Sequence, residues 1–148
     1  MKLEYNMKEQ LVSLKTAKLA KKKGFDVVCD YVYDISDKKD PIITRNQVGL
    51  GNLSYFGDRF IEGPSQSFLQ KWLREEKNVV VEVTFNSSLF RRLYEAAHKK
   101  TSLNYHWIIF TNTSDPEFVY SNFYSDDTFE TYEEALEEGL QRALKMVR

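Results

Sequence analysis

The chain has 148 residues, 42% of them hydrophobic and 29% charged, a balance that suits one soluble globular domain and excludes a wholly disordered chain. A net charge of −1 and a pI near 6.2 argue against a dedicated nucleic-acid binder, which carries a strong basic surplus. Cys29 is the single cysteine, so no intramolecular disulfide forms, and no apolar leader or membrane-length run is present; the expected compartment is the cytoplasm.

Aromatic residues make up 14% of the chain, as nine Tyr, ten Phe and two Trp. Such richness suits a thin sheet whose rings cover a modest core, and it would equally suit a recognition surface.

The spacing predicts a first helix over residues 8–23, with Leu11, Leu14, Ala17 and Lys21 on one face. Gly24 supplies the left-handed residue that ends it, and Phe25 stands where a hydrophobic side chain packs back on the last turn. Lys15, Lys18, Lys21, Lys22 and Lys23 make this helix basic, which suits a solvated face and a helix C-terminus. Residues 25–35 then alternate Val27, Cys29, Tyr31 and Tyr33 against Asp26, Asp30 and Asp34, the pattern of a half-buried strand.

A charged turn over 36–40 closes at Pro41. Between Ile42 and Gly63 the pattern is weak and punctuated by Gly49, Gly51, Gly57 and Gly63; Leu53, Tyr55 and Phe60 suggest a short strand or hairpin, and this stretch is expected to be the most mobile. Pro64 is expected to open a helix over 64–76, with Ser65 or Gly63 as its cap and Phe68, Leu69, Trp72 and Leu73 as its apolar face. After a short corner at 77–78 comes the clearest strand, 79–85, with Val79, Val81, Val83 and Phe85 facing one way.

Residues 87–100 can form a helix with Leu89, Leu93, Ala96 and Ala97 inward, although 89–94 could also be extended. Aromatic strands at 104–111 and 117–125 follow, joined by turn residues that favour an antiparallel pair. The last helix, 131–147, is the most explicit element. Tyr132, Ala135, Leu136, Gly139, Leu140, Ala143, Leu144 and Val147 form one stripe, and Thr131 with Glu134 makes a capping box. The fold expected is α+β: a single domain, residues 1–148, with a mainly antiparallel sheet and the helices at 8–23, 64–76 and 131–147 packed on one face.

Chemistry is far less explicit. A cysteine nucleophile needs a depressed thiol pKa and a nearby imidazole, and Cys29 sits among apolar strand residues, as an inert buried cysteine would. Two distant histidines, His98 and His106, with one cysteine make no zinc signature, and the turn acids lack the spacing of a calcium loop. No metal or cofactor is expected, and no catalytic residue is assigned. Gly49 and Gly51 are a faint cue for phosphate, without the Walker lysine or the dinucleotide fingerprint. Arg91 and Arg92 beside aromatic strands are a faint cue for stacking on single-stranded bases. His106, alternating with Tyr105 and Trp107, is the one side chain placed to act as a general base.

Two segments carry a resemblance. Pro64-Ser65-Gln66-Ser67-Phe68-Leu69-Gln70-Lys71-Trp72-Leu73-Arg74-Glu75 and Thr131-Tyr132-Glu133-Glu134-Ala135-Leu136-Glu137-Glu138-Gly139-Leu140-Gln141-Arg142-Ala143-Leu144 resemble a group of small uncharacterised proteins encoded by phages, prophages and mobile elements of gut Bacteroidetes. The helix end Lys18-Leu19-Ala20-Lys21-Lys22-Lys23-Gly24-Phe25 is similar to the same group. The resemblance implies an accessory or virion-associated product of a mobile element and no particular activity.

The function expected is therefore that of a non-enzymatic accessory protein. Its partner would be a host or phage protein, or a second copy of the chain in a homodimer, and no membrane. Two alternatives remain: a module for a small ligand, nucleotide or single-stranded nucleic acid, and a hydrolase-type enzyme whose site would include His106. Nucleic acid is the less favoured partner.

Overall fold

A computed structural model of the chain describes residues 10–46, 57–85, 105–111, 121–125 and 128–148. Among them are three helices, α1 (Leu14–Lys22), α2 (Gln66–Lys77) and α3 (Tyr132–Met146). Six strands accompany them: β1 (Tyr31–Asp34), β2 (Ile42–Arg45), β3 (Phe60–Glu62), β4 (Val79–Phe85), β5 (Tyr105–Thr111) and β6 (Ser121–Tyr124). The fold is α+β, and the strands pair antiparallel in two sheets ordered β2-β1-β3 and β4-β5-β6. The chain divides into two compact units, Met1–Phe68 and Leu69–Arg148, with the boundary inside α2. The N-terminal strand expected to join the C-terminal sheet instead centres a sheet of its own, because β2 and β3 occupy both of its edges. The helices divide likewise, α1 lying against β3 and α3 against β4 and β5.

In the first unit, α1 starts at Leu14 and not near residue 8. The Ser13 side chain accepts the Thr16 N–H at 3.3 Å and so caps the helix. Residues 10–12 are drawn into an extended pairing with 64–66: Val12 N–H donates to the Pro64 carbonyl at 3.0 Å, and Gln66 N–H to the Gln10 carbonyl at 2.8 Å. The inward face is accordingly Thr16, Ala17 and Ala20, whereas Lys21 is exposed.

The stop signal at Gly24 holds as expected. Gly24 adopts φ +88°, its N–H bonds the Lys21 carbonyl, and the Phe25 N–H bonds the Ala20 carbonyl, the two bonds of a Schellman motif. Phe25 is thereby turned inward, edge-on to Phe68 with ring centroids 6.1 Å apart. β1 is shorter than the 25–35 alternation implies, and it buries both Val32 and Tyr33. The Tyr33 hydroxyl donates to the Val12 carbonyl, tying the sheet to the segment that precedes α1. At the far end of β1, Arg59 grips Asp34 through two nitrogens at 3.2 and 2.9 Å. That pair, with the Ser36 N–H, holds the Asp34 carboxyl well below the usual carboxylate range.

Pro64 does not open α2. It precedes the cap, Ser65, whose hydroxyl accepts the Phe68 N–H at 3.2 Å. The helix ends at Lys77, and Asn78 alone makes the corner to β4, with φ 53° in the left-handed region that Asn tolerates.

In the second unit, β4 and β5 pair along their whole lengths, Val79 to Thr111 through Phe85 to Tyr105. Val81, Trp107 and Ile109 make the buried face, and α3 lies across it with Ala135, Leu136, Gly139, Leu140, Ala143 and Leu144 inward. The capping box is formed as predicted: Glu134 N–H reaches the Thr131 hydroxyl at 3.2 Å, and Thr131 N–H reaches the Glu134 carboxylate at 3.3 Å. Tyr132 differs from expectation. It is exposed, with its ring edge-on to Tyr105. The helix expected over 87–100 lies outside the described residues, as do residues 117–120 of the last expected strand.

Gly139 sets how closely α3 seats on the sheet. A Cβ there would come within 2.9 Å of both the Trp107 Cβ and the Val81 Cγ1, atoms on two paired strands that cannot both retreat. Gly139→Ala is therefore expected to destabilise the protein by roughly 1–3 kcal/mol, despite the better helix propensity of alanine. Urea denaturation measures this, and a variant as stable as the parent would refute the close seating.

Candidate functional site

The first unit holds an open cleft of about 830 Å³. Its floor follows from strand register. Tyr31 pairs with Arg45 across β1 and β2, and the Gly63 N–H bonds the Tyr31 carbonyl on the other side at 2.9 Å. Directly opposed residues share a sheet face, so Arg45, Tyr31 and Gly63 form one row, with Ile43 beside it. Gly63 keeps the row flat: a Cβ would press on the Tyr31 carbonyl at 3.2 Å and the Tyr33 ring at 3.3 Å.

The walls come from loops and a helix start. Leu11, Pro64 and Ser65 form one, Val28 to Asp30 another, and Phe68, steadied by Phe25, a third. Three apolar lining residues stay open to solvent: Val28 at 55%, Ile43 at 48% and Phe68 at 37% exposure. Isolated exposed hydrophobes need no explanation, but three lining one concavity form a patch of the kind that marks binding surfaces.

Polar groups around the cleft are largely committed. The Glu62 carboxylate accepts the Cys29 N–H at 2.8 Å, and burial pushes its pKa up. The Asn46 side-chain amide donates to the Cys29 carbonyl at 3.1 Å, and its backbone N–H donates to the Asp30 carbonyl at 2.7 Å. The Cys29 thiol donates to the Val27 carbonyl at 3.4 Å. Burial first, then the charges of Glu62 and Asp30, push that thiol up to about 12. It is the opposite of an activated nucleophile.

The Asn46 bond also fixes which backbone groups of β2 face outward. Antiparallel pairing alternates along a strand. Since Asn46 bonds inward, Thr44 and Ile42 do so too, and Ile43 and Arg45 turn their N–H and C=O groups to the outer edge of the sheet. Among the described residues nothing pairs with that edge.

Of the residues that the sequence singled out, His106 is placed as expected, on the face of β5 opposite Tyr105 and Trp107, and level with Thr84. It belongs to the second unit and does not line the cleft, and among the described residues no hydrogen bond to its imidazole is found. Gly49, Gly51, Arg91 and Arg92 lie outside the described residues. The described residues hold no cluster of three or more metal-ligating side chains, and no helix among them is long and apolar enough to cross a membrane. Sequence reasoning passed over Ile43, Arg45 and Val28 and assigned Phe68 to the core. The available signal was Pro41 followed by the β-branched run Ile42-Ile43-Thr44, the mark of an edge strand. No family model, curated protein or solved structure matches the chain.

The state of Cys29 is directly measurable. With a pKa near 12, only about one thiol in 10⁵ is ionised at neutral pH, against a few per cent for an ordinary cysteine. A disulfide reagent should modify the folded protein at least about a hundredfold more slowly than the urea-unfolded chain. Rapid stoichiometric modification of the folded protein would show that Cys29 is accessible and reactive.

Proposed function

We propose that the protein is a non-enzymatic binding module that takes an extended segment of a partner protein along the outer edge of β2, with the partner's apolar side chains in the adjoining cleft. The observation that carries this is the coincidence of two unmet surfaces. Ile43 and Arg45 present two N–H donors and two C=O acceptors at a sheet edge to which no described residue pairs, and Ile43 also lines the cleft that Val28 and Phe68 line with exposed apolar side chains. Strand addition uses this combination, main-chain bonds supplying affinity and side-chain pockets supplying selectivity. A long exposed apolar edge is otherwise an aggregation liability that proteins blunt with charge or cover.

The setting that fits the resemblance of the two helical segments is that of an accessory product of a phage or other mobile element. Its partner would be a host or phage protein met in the host cytoplasm. The high pKa of Cys29, the one thiol of the cleft, favours binding over catalysis there. A small-molecule site is the second reading, because a volume of about 830 Å³ lies within the range of such sites. Stabilisation by a small molecule with unchanged β2 amides would favour it.

The test is a selection of random peptides against the purified protein, followed by amide mapping of the selected binders. Binders should shift the Ile43 and Arg45 amides, and Ile43→Lys, which places a second charge on the edge, should weaken them by about tenfold or more. The melting temperature should change little, since Ile43 is half exposed. Binders that map elsewhere, or that ignore the substitution, would refute edge docking.

A further inference from the structure

The edge of β2 carries more than hydrogen-bonding groups. Arg45 is exposed, makes no ion pair among the described residues, and lines the cleft. Asp30 is the one acid of the lining, and no ion pair joins it to Arg45. Arg45 is thus a planar cation with five donors, placed directly where an added strand would lay a side chain. Two residues earlier, Ile43 presents an aliphatic side chain on the same face, and it lines the same cleft.

We propose that the segment docking on β2 is an acidic–apolar extended peptide that runs antiparallel to it, with a carboxylate side chain opposite Arg45 and an aliphatic side chain two residues later opposite Ile43. This inference rests on the docking function proposed above and adds the partner's chemistry. Direct cross-strand neighbours lie about 4.5–5.5 Å apart between Cβ atoms, close enough for a carboxylate to reach the guanidinium. An antiparallel partner uses the outward groups of Ile43 and Arg45 in closely spaced pairs perpendicular to the strands.

A second copy of the chain fits less well. Two-fold pairing of β2 through both outward residues sets Ile43 of one copy against Arg45 of the other. Each guanidinium would then face an aliphatic side chain instead of a carboxylate. Charge complementarity therefore favours an acidic partner over self-pairing.

The experiment uses two labelled pentapeptides, Ser-Glu-Thr-Val-Thr and Ser-Lys-Thr-Val-Thr, against the full chain and its Arg45→Glu variant at low ionic strength. Binding is read by fluorescence anisotropy and by amide shifts in the isotope-labelled protein. The parent should prefer the Glu peptide by about three- to fivefold, the yield of one exposed cross-strand ion pair. Arg45→Glu should invert the preference, and salt should erase it. Ile43 and Arg45 amides should shift together, more than that of Thr44. Equal binding of both peptides with those same edge shifts would overturn the acidic preference while leaving edge docking intact. An absence of edge shifts with either peptide would overturn both. Edge shifts that grow with protein concentration without peptide would identify the second copy as the occupant and overturn the inference.

Discussion

A strand at the margin of a sheet satisfies only half of its backbone, and its outward N–H and C=O groups must be paired, covered or left to water. With three described strands in each sheet, this constraint acts on four of the six. Just past β3, residues 64–66 pair with residues 10–12, which delays the start of α1. At β4 one carbonyl, that of Val81, accepts the Gln70 side-chain amide. At β2 no described residue meets the constraint. Among the described residues β6 is a margin as well, with Tyr124 exposed.

The cleft next to β2 is a product of local stop signals. The positive φ of Gly24 turns Phe25 inward, Phe25 meets Phe68 edge-on, and the Ser65 cap fixes the helix turn that carries Phe68. Two short-range devices and one long-range ring contact thus place one wall. The floor depends on the absence of a side chain at Gly63, where even a methyl group would crowd the Tyr33 ring. In the second unit, Gly139 plays a related part beneath α3. At Gly139 the missing Cβ permits an approach that any other residue would prevent, and at Gly63 it relieves a milder crowding.

Legibility from sequence followed the range of the interactions. The capping box of α3 and its buried stripe, the Gly24 stop and the Ser65 cap are all fixed within a few residues, and all were readable. The alternation of Val79 to Phe85 was readable because one face is buried against α3. What escaped was non-local. Nothing near Leu11 announces that it will pair beside Ser65, so helical spacing was extended back to residue 8. Nothing in the Val and Tyr run after Gly24 says which sheet it enters. The cleft draws on segments near residues 11, 28, 45 and 63, none of which carries a motif alone. Phe68 kept helical spacing with Leu69 and Trp72 and was assigned to the core, although it lies at the edge of that face.

The central claim is that β2 offers an open hydrogen-bonding edge, and residue-resolved amide hydrogen exchange tests it most directly. Thr44 and Asn46 donate inward to β1, so their amides should be protected, whereas Ile43 and Arg45 should exchange at rates near those of an unstructured chain. Protection that alternates along four consecutive residues is the result this account predicts. Strong protection of Ile43 and Arg45 in the isolated protein would mean that the edge is already covered, and would contradict it.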